Sequence, residues 1–485
     1  MNKHNRLASR RTFCAGGKVR SIAALLFGVL LSAAAFGQAN QGREAVMSEL
    51  VGSWSGVLAV AGQRITTVLN VTASGDDLAA TMDSPDQGAF GIPVASVVVA
   101  GSTITFNIAA VAARYEATIT EDGTLSGTFY QSGLSIPLEM EKVAAEAAGP
   151  PARPQDPQPP FPYEVADVVF RNREDQLNFA GTITYPRGSG PFPAVVLVSG
   201  SGQQNRDEEI YNHRPFLVLA DALTRAGFAV LRYDDRGVGG SEGLETLGTA
   251  TMYDFARDAA AAVDSLASRP GVDVDRIGVI GHSEGASIAA ELAASNPHVS
   301  FAVLLAMPGV PGDDLMIQQW TAILEASGAN QAVIGVVTDV WRRVYDRVLA
   351  DGPVDQMAED VRPILQELGT SPDQLNAQVI AITSPQWIGF LSYDPRPVLR
   401  RIDVPVLALT GSLDTQVPAG PNLLSIRQQL RAAPTNRYLV RELPGLNHLM
   451  QTATTGSPQE YASIEETFAP QAIDTIVTWL NANVR

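Results

Sequence analysis

Ser283 offers the clearest chemistry in the chain. It stands in Gly281-His282-Ser283-Glu284-Gly285, between the apolar run Arg276–Ile280 and the helix-like stretch Ala286–Ala294. A strand, a sharp turn and a helix in that order push a hydroxyl out at the carboxyl edge of a sheet. The flanking glycines are needed because a Cβ there would strike the neighbouring strand or helix. A serine hydroxyl is a weak nucleophile at neutral pH, so it needs a base to take its proton and a third group to orient that base.

The five histidines leave few candidates for the base. His4 belongs to the N-terminal leader. His282 adjoins the serine on the turn, so its side chain should point elsewhere, and His298 follows the helix and falls at the far edge of the sheet. His448, in Pro444-Gly-Leu-Asn-His448, leaves the last strand at its carboxyl end and arrives from the serine's side; His213 is the second choice. The orienting acid should leave a neighbouring strand at the same edge, as Asp414 does in Gly411-Ser-Leu-Asp414. Asp403 precedes that strand and reads as a solvated turn residue at the opposite edge. A developing oxyanion would need two preorganised N–H donors, each contributing roughly 3 kcal/mol. One is expected from the backbone of Glu284, at a helix start, and the other from the glycine-rich loop Ser199-Gly-Ser-Gly-Gln203, at Ser201.

The elements that must position these groups are legible as a change of rhythm at about Tyr163. Val165–Phe170 and Leu177–Tyr185 read as a hairpin. Pro193–Ser199, Phe228–Tyr233, Arg276–Ile280, Phe301–Ala306, Val404–Thr410 and Arg437–Leu443 read as strands. Helical patterns at Pro215–Arg225, Met252–Ser268 and Ala469–Ala482 lie between or after them. Continuous Val/Ile/Leu strands separated by helices require a parallel sheet covered on both faces, which predicts a doubly wound α/β domain over 163–485. At about 312–390 the pattern is helical without a strand, and an insertion there would form a cap over the edge where ligands bind. Trp320, Trp341 and Trp387 fall in it, either as aromatic core or as pocket lining.

Residues 43–143 differ in kind. Seven short alternating segments at 53–58, 66–71, 78–82, 103–108, 115–119, 124–129 and 136–140 are separated by turn signals such as Glu121-Asp122-Gly123. Such patterning predicts an antiparallel sheet, closed as a small barrel. Gly52-Ser53-Trp54 and Asp83–Gly88 resemble the lipocalin-like module found ahead of some exported bacterial serine hydrolases; a structural or substrate-presenting role, or ligand binding, would follow. Between the two regions, 144–162 carries seven prolines in 150–162. That density permits neither helix nor central strand, so a semi-rigid spacer is expected.

The first 38 residues read as a signal peptide: six cations and no acid, then the apolar Ile22–Leu31, then small residues. Ser9-Arg10-Arg11-Thr12-Phe13 looks like a twin-arginine export signal, and an ordinary secretory signal containing two arginines is the other reading. An exported protein, periplasmic or extracellular, is therefore expected. No later stretch has the roughly 18 unbroken apolar residues of a spanning helix. Removing the six cations takes the formal charge from −17 to −23. That acidity argues against nucleic acid or an anionic membrane as partner. The single cysteine, Cys14, would leave with the signal, so no disulfide, cysteine nucleophile or thiolate metal site is expected. No cofactor or metal is implied, and oligomeric state is not legible.

Six segments together carry a family resemblance: Ser199–Asp207, Tyr233-Asp-Asp-Arg-Gly-Val-Gly-Gly-Ser241, the turn around Ser283, Phe390–Pro395, Gly411–Asp414 and Leu443–His448. They make the region from about Tyr163 to Arg485 similar to the α/β-hydrolase superfamily, in the branch of bacterial carboxylesterases and serine-aminopeptidase-like hydrolases. The motif from Ser199 begins with serine where many relatives have histidine. The resemblance implies a catalytic triad of Ser283, Asp414 and His448 and a small-molecule ester substrate, with Asp235-Arg236-Gly237 as a structural turn and ion pair. A peptidase with the same triad is an alternative, with Glu284, Asp207, Glu208 and Glu209 as possible sources of an acid to hold a substrate ammonium. Serine peroxidase-like chemistry would also share the triad. A binding protein on an inactive hydrolase scaffold belongs to a different class, and separation of Ser283 from His448 in the fold would favour it.

Overall fold

The computed structural model describes residues 46–60, 63–75, 77–85, 89–131, 134–144, 153–350, 352–369 and 372–484. The expected signal peptide, with Cys14, lies outside them. The chain forms two compact units that divide at Gly149–Pro150.

The first unit is a nine-stranded antiparallel sheet: β1 Gly52–Val60, β2 Gln63–Ser74, β3 Asp77–Ser84, β4 Ala89–Val94, β5 Ser96–Ala100, β6 Thr103–Ile108, β7 Ala113–Ile119, β8 Leu125–Gln131 and β9 Leu134–Val143. Its order is β4-β3-β2-β1-β9-β8-β7-β6-β5. The sheet curls until β3 meets β5 and β4 meets β6, which nearly closes a barrel. Trp54, Leu69, Phe106, Tyr115, Leu125 and Met140 fill the interior. The two segments carrying the lipocalin-like resemblance meet in space. Ser53 Oγ donates to Asn70 Oδ1 (2.8 Å), Asn70 Nδ2 donates to Asp83 Oδ2 (2.7 Å), and the Gly91 amide donates to Asp83 Oδ1 (2.6 Å). Strands β4 and β5 were not among the seven segments expected. They are the two ends of the sheet, and β4 contains Gly91 at positive φ and Pro93, which interrupt the alternation that marks a strand.

The second unit carries an eight-stranded sheet: β10 Glu164–Asn172, β11 Leu177–Tyr185, β12 Phe192–Val198, β13 Ala229–Tyr233, β14 Val272–His282, β15 Val299–Leu305, β16 Val406–Gly411 and β17 Tyr438–Leu443, in the order β10-β11-β13-β12-β14-β15-β16-β17. The β10–β11 and β11–β13 pairs are antiparallel and the others parallel. Helices α1 Pro215–Arg225 and α11 Pro470–Asn483 cover one face; α2 Met252–Ala267, α3 Glu284–Ser295 and α10 Ala419–Arg431 cover the other. Alternation along β12 shows why the strands read as unbroken apolar runs: Val195 and Leu197 join the first core, Val196 and Val198 the second.

Between β15 and β16 come the helices α4 Gly312–Ala326, α5 Gln331–Val348, α6 Val354–Gln366, α7 Pro372–Ile382 and α8 Pro385–Ser392, followed by the short α9 Arg396–Leu399, with no strand among the described residues there. The insertion has its own core around Met316, Val344, Tyr345, Val361 and Leu365. Trp320 stacks on Trp341 (5.2 Å), and its indole N–H donates to Tyr345 Oη (3.1 Å). No helix among the described residues is long and apolar enough to cross a membrane.

The proline-rich stretch differs from a free spacer. From Arg153 onward it is tied to the second unit. The buried Arg153 guanidinium donates to the carbonyls of Tyr211, Ala462 and Ile464, and Asp156 pairs with Arg214. Gln155 donates to the Phe468 carbonyl and accepts the Thr467 and Phe468 amides. Proline excludes internal hydrogen bonding but leaves the intervening polar side chains free to bond elsewhere, which composition alone does not reveal.

Asp235-Arg236-Gly237 forms the expected turn and ion pair. Arg236 lies 3% exposed, with Asp258 at 2.8 and 2.9 Å and Asp175 at 2.6 Å, and Asn172 Nδ2 donates to Asp258 Oδ1 at 2.7 Å. Removing one partner of such a group leaves the other buried and uncompensated. Arg236→Met is expected to destabilise the second unit by about 3–5 kcal/mol, measured as a shift of its urea transition monitored apart from that of the barrel.

Candidate active site

The turn at Ser283 is built by close approach. Ser283 has φ 54° and ψ −119°, a left-handed conformation unusual for a residue with a Cβ. It is held where its amide donates to the Leu305 carbonyl (2.8 Å) and its carbonyl accepts the Ala286 amide (3.0 Å). A Cβ on Gly281 would lie 2.0 Å from the Gly285 carbonyl oxygen, and one on Gly285 would lie 2.3 Å from those of Val198 and Ser199. Only glycine lets α3 start this close to β12 and β14.

Asp414 and His448 come together from the ends of β16 and β17. His448 Nδ1 lies 2.9 Å from Asp414 Oδ2 and 3.1 Å from Oδ1. Each residue is 4% exposed. The backbone amides of Gln416 (2.9 Å) and Val417 (2.7 Å) donate to Asp414 Oδ1, fixing the carboxylate and leaving Oδ2 for the imidazole. The His448 loop packs on the residue before the serine: the His282 and His448 rings lie 4.8 Å apart, and His282 Nε2 faces the His448 carbonyl oxygen at 2.9 Å. Among the described residues no hydrogen bond joins the Ser283 hydroxyl to His448.

The loop after β12 supplies the second wall. A Cβ on Gly200 would sit 3.3 Å from that of Ser283. The Gly200 amide is already committed to Glu208 Oε1 (2.7 Å), whereas the Ser201 amide has no acceptor among the described residues. The loop is pinned by Asp235, which accepts Ser199 Oγ at 2.8 and 2.9 Å and the Gln204 amide at 3.1 Å. Burial pushes the Asp235 carboxyl up to about 8.

Ser201, Gly202, Ser283 and Glu284 open into a cavity of about 420 Å³. Its other lining residues include Leu315, Met316, Trp387, Phe390, Gln319 and Gln386 from the helical insertion, and Gln416 and Val417 from the loop after β16. Trp341 and Trp387 both pack against the insertion's core, Trp320 stacks on Trp341, and Trp387 also lines the cavity. Glu284 is 7% exposed, forms no hydrogen bond through its carboxyl among the described residues, and is pushed by burial up to about 7.

The remaining histidines lie elsewhere. His213 is fully buried, with Nδ1 3.0 Å from Thr467 Oγ1 and Nε2 2.9 Å from the Tyr461 carbonyl, and burial lowers it to about 4. It ties the C-terminal loop together and stands apart from Asp414. His298 is an exposed turn residue whose amide donates to Asn296 Oδ1 (2.9 Å). Sequence reasoning missed the cavity glutamines and the contact role of Glu208. Nothing in their spacing marks them, although Glu208 lies in a loop already singled out for its acids.

The raised Glu284 carboxyl has a thermodynamic consequence. Its folded value exceeds the unfolded one, so its contribution is fully present below the unfolded value near 4.5 and is lost as pH rises through about 7. Glu284→Gln, uncharged and of similar size, is expected to resemble the parent at pH 4.5. At pH 8 it should be the more stable protein, by up to about 3 kcal/mol. Urea midpoints at the two pH values measure this.

Residues 195–464 match the family model described as the alpha/beta hydrolase family. The chain is 28% identical over 324 residues to esterase EstD of Thermotoga maritima, covering 66% of this chain and 70% of that protein. It is 26% identical over 283 residues to the uncharacterized protein MT2364 of Mycobacterium tuberculosis, covering 58% and 72%. Among solved structures it is similar to the Pyrococcus furiosus esterase Pf2001, with 15% identity, 67% of this chain and 92% of that chain covered, and a TM-score of 0.42. A family model spanning more than half of the residues, matched over the sheet that carries Ser283, Asp414 and His448, places this chain in the α/β-hydrolase family.

Proposed function

We propose that this protein is an exported serine hydrolase that cleaves carboxylic esters through an acyl-enzyme intermediate. The observation that carries the reading is the Asp414–His448 pair, oriented by two backbone amides and packed, through the His282 ring 4.8 Å from that of His448, against the turn whose strained serine opens into the cavity. In the proposed cycle Ser283 Oγ attacks the acyl carbon while His448 Nε2 takes its proton. The alcohol leaves with that proton, and water then releases the acyl group by the reverse relay. Asp414 keeps Nδ1 protonated and stabilises the imidazolium. The N–H groups of Ser201 and Glu284 receive the oxyanion: the first has no acceptor among the described residues, and the second starts a helix. The similarity to EstD, named an esterase, supports an ester over other acyl substrates. A cavity of about 420 Å³ lined by Leu315, Met316, Trp387 and Phe390 suits a short or medium acyl chain.

The acids weigh against an aminopeptidase. A substrate ammonium needs an ionised carboxylate at the cavity. Asp207 is paired with Arg232, Glu208 with His282 and the Gly200 amide, and Glu209 accepts Asn205 Nδ2. Glu284 remains, and burial favours its neutral form. The unformed Ser283–His448 hydrogen bond is the feature an inactive scaffold would share. Catalytic hydrogen bonds of this kind commonly tighten only when substrate binds.

The test assays residues 39–485 against p-nitrophenyl esters of increasing acyl length and against aminoacyl p-nitroanilides. Ester turnover should vanish in Ser283→Ala and fall about 10⁴-fold in Asp414→Asn, whose neutral amide no longer holds the tautomer. Anilide turnover alone would assign a peptidase, and serine-independent turnover or none would reject the mechanism. For export, the full chain is expected outside the cytoplasm on cell fractionation. Arg10→Lys with Arg11→Lys should trap it inside if the twin-arginine route is used.

A further inference from the structure

Two buried residues outside the triad join the loops that carry it. Glu208 Oε1 accepts the Gly200 amide at 2.7 Å and faces His282 Nδ1 at 2.9 Å, while His282 Nε2 faces the His448 carbonyl oxygen at 2.9 Å. Glu208 is 4% exposed and His282 7%. A carbonyl oxygen can only accept, so Nε2 carries a proton. If Glu208 is ionised, its Oε1, which already accepts the Gly200 amide, can only accept from Nδ1 as well, which makes the ring an imidazolium. Glu208 also holds a left-handed backbone, φ 52°, a conformation that persists where its surroundings over-determine it.

We propose that Glu208 and His282 form a second carboxylate–imidazolium pair that positions the hydrolytic machinery, fixing the Gly200–Ser201 loop through one partner and the His448 loop through the other. The inference rests on the serine-hydrolase reading. The charged and titratable groups facing His282 are Glu208, the His448 ring and Asp414 beyond it, and Glu208 in turn raises Asp235. Burial pushes His282 down, and the Glu208 carboxylate, the His448 carbonyl and Asp414 outweigh it, holding the imidazolium above the ordinary histidine range. Both are positioning residues, because neither lines the cavity.

Glu208→Gln separates this role from simple packing. The amide keeps the volume and an acceptor for Gly200, but a neutral imidazole has one proton for two acceptors, so one loop is released. Per active site, counted by fluorophosphonate labelling of Ser283, kcat is expected to fall about ten- to a hundredfold with KM unchanged. In protein labelled with ¹⁵N-histidine, with the signal assigned by its loss in His282→Gln, both ring nitrogens of His282 should be protonated at pH 8 in the parent and only one in Glu208→Gln. A parent His282 with one bare nitrogen at pH 8, or a variant with parental kcat per labelled site, overturns the proposal. If Ser283→Ala is inactive while Glu208→Gln is normal, the positioning inference alone fails. If Ser283→Ala is active, the hydrolase reading fails with it.

Discussion

The approach of α3 to β12 is the constraint on which the site depends. The helix begins one residue after a strand ends, and the chain reverses within a single residue, Ser283, at an angle that costs backbone energy. Two contacts make that reversal possible, Gly281 against the Gly285 carbonyl and Gly285 against the carbonyls of Val198 and Ser199, both at separations no Cβ tolerates. The start of α3 and the loop after β12 line one cavity with Ser283. The position of Ser283 and the start of α3 beside it are therefore consequences of one piece of packing.

The other groups are held by charge satisfaction. Carboxylates buried beneath the carboxyl edge of the sheet each have defined partners: Asp414 two amides and an imidazole, Asp235 a hydroxyl and an amide, Glu208 an amide and an imidazole, Asp258 a guanidinium and an amide side chain. Buried acids without such partners would be neutralised or expelled. Glu284 lacks such partners among the described residues, and burial raises it to about 7; Asp235 is raised further, to about 8, because burial outweighs the hydroxyl and amide that it accepts. The arrangement fixes the loops that carry Ser201, Asp414 and His448.

Much of this was legible in the chain. The apolar runs of β12 to β17 follow from burial on two faces, so their parallel pairing was readable without coordinates. So was the side from which His448 and Asp414 approach, since each follows a strand at its carboxyl end. The barrel was legible from seven of nine strands; Gly91 and Pro93 hid β4, and the second hidden strand, β5, lies at the opposite end of the sheet. His282 was expected to point elsewhere than the serine; it faces Glu208, 74 residues earlier in a loop, and no spacing rule connects the two.

The sequence by itself determined which residue types could react and the order of strands that presents them, because periodicity and chain order are local or one-dimensional properties. Tertiary structure alone decided that His448 meets Asp414 through Nδ1 at 2.9 Å, and that His213 is consumed by Thr467 and Tyr461. It also decided that the proline-rich stretch is bonded to its neighbour, and that glutamines and Trp387 of the helical insertion share a cavity with Ser283. These are contacts between residues tens to hundreds of positions apart, fixed by how helices and loops pack. Packing is set by shape and charge in three dimensions, and a single chain read in order carries no distance between them.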